Sequence, residues 1–90
     1  MADVNGYKFG VCNRLYNSIY NANDIYNLEI FEDYTTALSC YMQRLTNTDY
    51  PIYIEESLWI VWIREDNKIV QWEQLSWHTE CKIIDLTNHL

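Results

Sequence analysis

The stretch from Leu58 to Leu75 constrains the fold most. It reads Leu-Trp-Ile-Val-Trp-Ile, then the polar Arg-Glu-Asp-Asn-Lys, then Ile-Val-Gln-Trp-Glu-Gln-Leu. Six consecutive apolar residues, rich in β-branched and aromatic types, read as a strand. The polar interruption can reverse the chain onto a second strand. Asp66-Asn67 is the predicted two-residue turn, since both residues tolerate positive φ. In that register Ile63 faces Val70, Val61 faces Trp72 and Trp59 faces Gln74, an almost wholly apolar side. Ile60, Trp62 and Arg64 then oppose Glu73, Gln71 and Ile69, and Glu65 and Lys68 flank the turn as a charge pair.

The helical counterpart is Tyr34 to Leu45. Tyr34, Ala37, Leu38, Tyr41, Met42 and Leu45 recur at the spacing of one helical face. Asp33 stands at the N-cap position, Arg44 suits the last turn, and Asn47 can supply a left-handed exit. Tyr50 to Glu56 reads as another strand, with Pro51 near its start. Cys81 to Leu86 reads as a short final strand or a docked tail. In the first third, Cys12, Leu15, Tyr16, Ile19, Tyr20 and Asn23 fit a helical stripe. The alternative is a hairpin of Arg14 to Tyr20 and Ile25 to Phe31 around Asn21-Ala22-Asn23-Asp24. Poor helix formers at Asn13, Asn17 and Asn21 favour the hairpin. The expected class is α+β: one domain over residues 1–90, a mostly antiparallel sheet of four to five strands, and one helix (about residues 34–45) on one face. The sheet's second face is expected to be incompletely covered, with Ile60, Trp62 and Tyr53 on it. Trp59 and Trp72 are expected in the core.

Two Gly and one Pro in 90 residues leave no linker tract. Three widely spaced cysteines, Cys12, Cys40 and Cys81, make no disulfide framework. The start Met-Ala-Asp-Val-Asn has neither a basic nor an apolar leader region, and the longest apolar run is far too short for a bilayer. These features lead to the expectation of a cytoplasmic protein, acting in the host cytoplasm if viral.

No constellation of residues carries recognisable catalytic chemistry. His78 and Cys81 form one potential zinc-ligand pair, where structural zinc uses two. No glycine-rich oxyanion loop accompanies any cysteine. Glu55 and Glu56 are adjacent on an expected strand and point to opposite faces. The expectation is therefore no enzyme, no cofactor and no metal.

Charge is the informative remainder. Thirteen acidic residues against six basic ones give a formal charge of −7. Such a surface repels phosphate and attracts basic proteins. Lys8, Arg14, Arg44, Arg64, Lys68 and Lys82 are scattered, so neither direct nucleic-acid binding nor a membrane surface is expected. A basic, nucleic-acid-binding protein is the expected partner. Four Trp and eight Tyr exceed what a small core needs and supply interface anchors. The candidate partner-binding residues are Glu29, Glu32, Asp33, Asp49, Tyr53, Glu55, Glu56, Trp62, Glu65 and Asp66. Carboxylates two apart on a strand are about 6.5–7 Å from one another, near phosphate spacing, so nucleic-acid mimicry is one mode of action.

In size, charge and fold class the chain resembles the phage-encoded inhibitors of host defence, including anti-CRISPR proteins, and the bacterial immunity proteins that neutralise nuclease toxins. No diagnostic motif of either group is present, and no residue is carried over from them. The resemblance implies a stoichiometric inhibitor of a basic nucleic-acid-handling protein. The alternative is a structural or assembly subunit that forms homodimers or larger homo-oligomers through the open sheet face.

Overall fold

The computed structural model describes residues 6–14, 25–46, 58–74 and 78–87. Its elements are β1 (Lys8–Arg14), β2 (Ile25–Phe31), α1 (Tyr34–Thr46), β3 (Leu58–Ile63), β4 (Lys68–Gln74), β5 (His78–Glu80) and β6 (Ile84–Asp85). The strands form one antiparallel sheet in the order β2-β1-β3-β4-β5, and β6 also pairs with β4. With one helix packed against it, the fold is α+β, as expected.

The hairpin of the first third exists, but its first strand lies upstream of the expected one. Lys8–Arg14, not Arg14 to Tyr20, pairs with Ile25–Phe31. Residues 15–24 lie outside the described residues. β1 is flanked by strands on both edges, and every residue from Phe9 to Arg14 is buried. Buried Asn13 and Arg14 make the strand look like a loop in the sequence, because alternation marks only strands with one wet face. Gly10 packs where Leu28 and Val61 would each lie 3.0 Å from an added Cβ.

The β3–β4 hairpin keeps the expected register at Ile60↔Glu73, Val61↔Trp72 and Trp62↔Gln71. Nearer the turn it shifts, and Ile63 pairs with Ile69 instead of Val70. Asn67 takes the left-handed conformation at φ 63°, whereas Asp66 does not. The loop therefore holds three residues: the Asn67 amide donates to the Arg64 carbonyl at 2.9 Å, and the Arg64 amide donates to the Lys68 carbonyl at 2.8 Å. Without glycine, one left-handed residue is easier to accommodate than two, which selects the three-residue loop and its bulge. Val70 is the extra residue, and Ile69 is carried into the core at 0% exposure. Arg64, not Glu65, stands opposite Lys68, so the expected Glu65–Lys68 flanking pair does not form across the ladder.

Alternating side chains feed two cores. On one side of the sheet Cys12, Ile25, Trp59, Val61, Ile63, Ile69 and Trp72 meet Ile84 and Leu86 of the tail. On the other, Phe9, Val11, Leu58 and Ile60 meet Ala37 and Tyr41 of α1. Full burial of such side chains is worth about 1.5–3 kcal/mol each. Trp59 and Trp72 are core residues, as expected. The expected open face is not open at Ile60 and Trp62: Ile60 is fully buried under the helix side, and Trp62 is partly buried there. Tyr53 and the expected strand Tyr50 to Glu56 lie outside the described residues.

α1 starts where the cap predicts. The Thr36 amide donates to Asp33 Oδ1 at 2.9 Å. The buried stripe includes Ala37 and Tyr41, but Met42 is exposed. The tail differs from a single strand over Cys81 to Leu86. β5 and β6 pair with successive parts of β4, and the intervening segment is held by the Trp72 indole N–H donating to the Lys82 carbonyl at 2.9 Å. No helix among the described residues is long and apolar enough to cross a membrane.

Candidate functional site

Antiparallel pairing gathers acidic residues that are far apart in the chain. The start of β1 lies beside the end of β2 through Phe9↔Phe31, and beside the end of β3 through Lys8↔Ile63. The β2–α1 link and the β3–β4 turn therefore share one end of the sheet. This end carries Glu32, Asp33, Glu65 and Asp66, all exposed. Asp85 joins them because β6 pairs with the start of β4 (Lys68↔Asp85). Nothing in the local sequence marks Asp85; the strand pairing places it.

Between the two loops is an open depression of about 310 Å³, lined in part by Tyr7, Lys8, Glu32, Arg64 and Glu65. Gly6, at φ +87°, also borders it, and an added Cβ there would lie 2.9 Å from Glu65 Oε2. The end is not uniformly acidic. Lys8, Arg64 and Lys68 are interleaved, and Arg64 clamps Asp66 through Nε–Oδ1 at 3.0 Å and Nη2–Oδ2 at 2.9 Å.

The other candidates are placed differently. Glu29 lies on β2 and faces α1, where Arg44 Nη2 donates to Oε1 at 2.7 Å and the Cys40 thiol donates at 3.4 Å. Arg44 also donates to the Asn27 carbonyl at 2.9 Å. Asp33 serves as the helix cap. Trp62 belongs to an aromatic cluster, with ring centroids 5.0 Å from Phe9, 5.6 Å from Tyr7 and 6.0 Å from Tyr34. Asp49, Tyr53, Glu55 and Glu56 lie outside the described residues. Of the described acidic candidates only Glu29 is within a strand, so the two-apart strand spacing invoked for phosphate mimicry is not what arranges them. Turns and links arrange them instead.

The electrostatics favour the charged state. The Arg44 guanidinium holds the Glu29 carboxyl below its usual range. The Thr36 hydroxyl and amide do the same for Asp33, Arg64 for Asp66, and the Thr87 hydroxyl and amide for Asp85. Asp33 and Asp85, so held, stay anionic and exposed, whereas Glu29 and Asp66 are compensated by their arginines; a general acid needs the opposite shift. Burial pushes the Cys12 thiol up to about 12, which suppresses the nucleophilic thiolate. Among the described residues no three His, Cys, Asp or Glu gather as a metal site.

Two features escaped the sequence reading. Arg14, counted there among scattered cations, is 4% exposed. Its guanidinium lies 4.0 Å from the Trp59 ring centroid and 5.4 Å from that of Trp72, and the two indoles pack edge to face at 6.1 Å. Glu73, read as a polar residue opposite Ile60, accepts from the Trp62 indole at 3.1 Å and from the Tyr34 hydroxyl. No local pattern announces either arrangement, because each joins strands or a strand and a helix.

No protein-family model, curated protein or solved structure matches this chain.

Proposed function

We propose that this chain is a stoichiometric, non-enzymatic inhibitor that binds a basic nucleic-acid-handling protein, of the phage anti-defence, anti-CRISPR-like type. A bacterial immunity protein against a nuclease toxin would use the same physics. The observation that carries the reading is the acidic end of the sheet, where Glu32, Asp33, Glu65, Asp66 and Asp85 outnumber the interleaved Lys8, Arg64 and Lys68 on a chain of charge −7. Such a concentration of anionic groups steers a cationic partner and accelerates encounter. Occupation of the partner's phosphate-binding surface is the inhibitory step, by mimicry of nucleic acid charge. The setting is the cytoplasm of the host cell. The homo-oligomer alternative drew on an open sheet face bearing Ile60 and Trp62, and the burial of Ile60 removes part of that ground.

The test begins with affinity capture from host or infected-cell lysate, washed at low and then high salt. The captured partner is then purified and its association rate measured against ionic strength. Reversal of Glu32, Glu65 and Asp85 to Lys is expected to slow association at least about tenfold at low salt. An association rate indifferent to both salt and these reversals overturns the reading.

A further inference from the structure

We propose that the outer edge of β2 takes up an extended, basic segment of the partner protein by strand addition. The inference rests on the reading above that the partner is basic, and it specifies how the partner is held. Among the described strands, β2 is paired on one side only, with β1. Tyr26 and Ile30 on it are 38% and 37% exposed, and Asn27 and Glu29 are exposed as well. An edge strand offers unpaired main-chain donors and acceptors, which natural proteins blunt with lysine, proline or bulges. β2 contains no Lys and no Pro. A bulge at Asn27, φ 56°, blunts its first half, where Arg44 also takes the Asn27 carbonyl. The regular ladder from Glu29 to Phe31 runs on beyond the bulge toward Glu32.

Charge selects the occupant. Glu29 on the strand is already paired with Arg44, and the exposed carboxylates that continue from its regular half are Glu32 and Asp33. A second copy paired along this edge would bring like charges together, which is destabilising. An extended segment with alternate Lys or Arg complements them. Its main chain provides affinity and its alternate side chains provide selectivity. The exposed Ile30 offers apolar contact to the intervening residues.

The probe is a synthetic seven-residue peptide of alternating Lys and Val, matched to the length of β2, titrated at low salt into the full-length isotope-labelled chain. The expected result is slowed exchange, by at least about tenfold, at the alternate amides between Leu28 and Phe31 that point away from β1, as strand pairing protects main-chain amides. The same peptide methylated on alternate backbone nitrogens, and one of alternating Glu and Val, are expected not to bind. The substitution Ile30→Lys, at a partly exposed site, is expected to weaken binding about tenfold by adding an edge gatekeeper charge. Circular dichroism establishes that the variant is folded, and the exchange data on the unaltered chain stand without it. Shifts confined to Glu32, Asp33, Glu65, Asp66 and Asp85, with β2 amides unmoved, overturn strand addition and leave the inhibitor reading intact. Protection of β2 amides that grows with concentration in peptide-free chain overturns it in favour of a second copy. Absence of peptide binding overturns it too, while the salt dependence of the whole partner separately decides the wider reading.

Discussion

The Tyr34 hydroxyl, in the first turn of α1, donates to the carboxylate of Glu73 on β4, 39 residues later. The other oxygen of that carboxylate accepts from the Trp62 indole. One acidic side chain thus ties the helix to two strands and orients the aromatic cluster of Tyr7, Phe9, Tyr34 and Trp62.

Removal of this carboxylate should cost more than removal of either donor. Tyr34→Phe is expected to destabilise by about 1 kcal/mol, a typical net hydrogen bond. Glu73→Ala strands two partly buried donors and is expected to cost about 2–3 kcal/mol. Urea unfolding of both single variants and the double variant measures the coupling. Additive effects would show that the contact contributes nothing of its own.

Stability should fall at alkaline pH. Burial, then the Glu73 contact, hold the Tyr34 hydroxyl above its ordinary range, and burial pushes the Cys12 thiol up to about 12. Both groups bind protons more tightly folded than unfolded. Their stabilisation is complete below the unfolded values, about 8.5 for Cys and about 10 for Tyr. It is lost as pH rises from there through the folded values, because the unfolded state then releases protons that the native state keeps. Cys12→Ala should flatten the decline from its onset near the thiol value, and Tyr34→Phe should flatten the part that begins near the phenol value. Unfolding midpoints at successive pH values read both. A decline unaltered by either substitution would assign it to other groups.

The guanidinium of Arg14 above Trp59 and beside Trp72 is a desolvated cation–π contact, a class worth about 2 kcal/mol. Arg14→Met is expected to destabilise by about that amount, and Arg14→Lys to recover only part of it, since an ammonium cannot stack as a plane does. Equal stability of the Arg and Lys proteins in chemical unfolding would mean that charge alone, and not stacking, is what the site requires.

Much of the fold is legible in the chain. The apolar run at Leu58 to Ile63, the stripe from Tyr34 to Leu45 with its Asp33 cap, and the span Ile25 to Phe31 each declare their own type. They do so because periodicity and capping act over a few residues. β1 is not legible in this way: burial on both faces removed its alternation, and Asn13 and Arg14 disguised it. The three-residue loop was hidden as well. Asp66-Asn67 is compatible with two turns, and the one formed needs a single left-handed residue, Asn67, and carries Ile69 into the core.

The site divides along the same line. Residue types alone set the net negative charge, the acidic stretch between Arg14 and Arg44 and the number of carboxylates, since formal charge is a sum over residues and needs no geometry. Folding selected which of them stand together. Strand pairing brought Glu32, Glu65 and Asp85 to one end, α1 drew Glu29 onto Arg44, and the aromatic cluster enclosed Trp62. Those assignments depend on contacts between residues tens of positions apart, which no local pattern encodes and which burial of two apolar faces enforces.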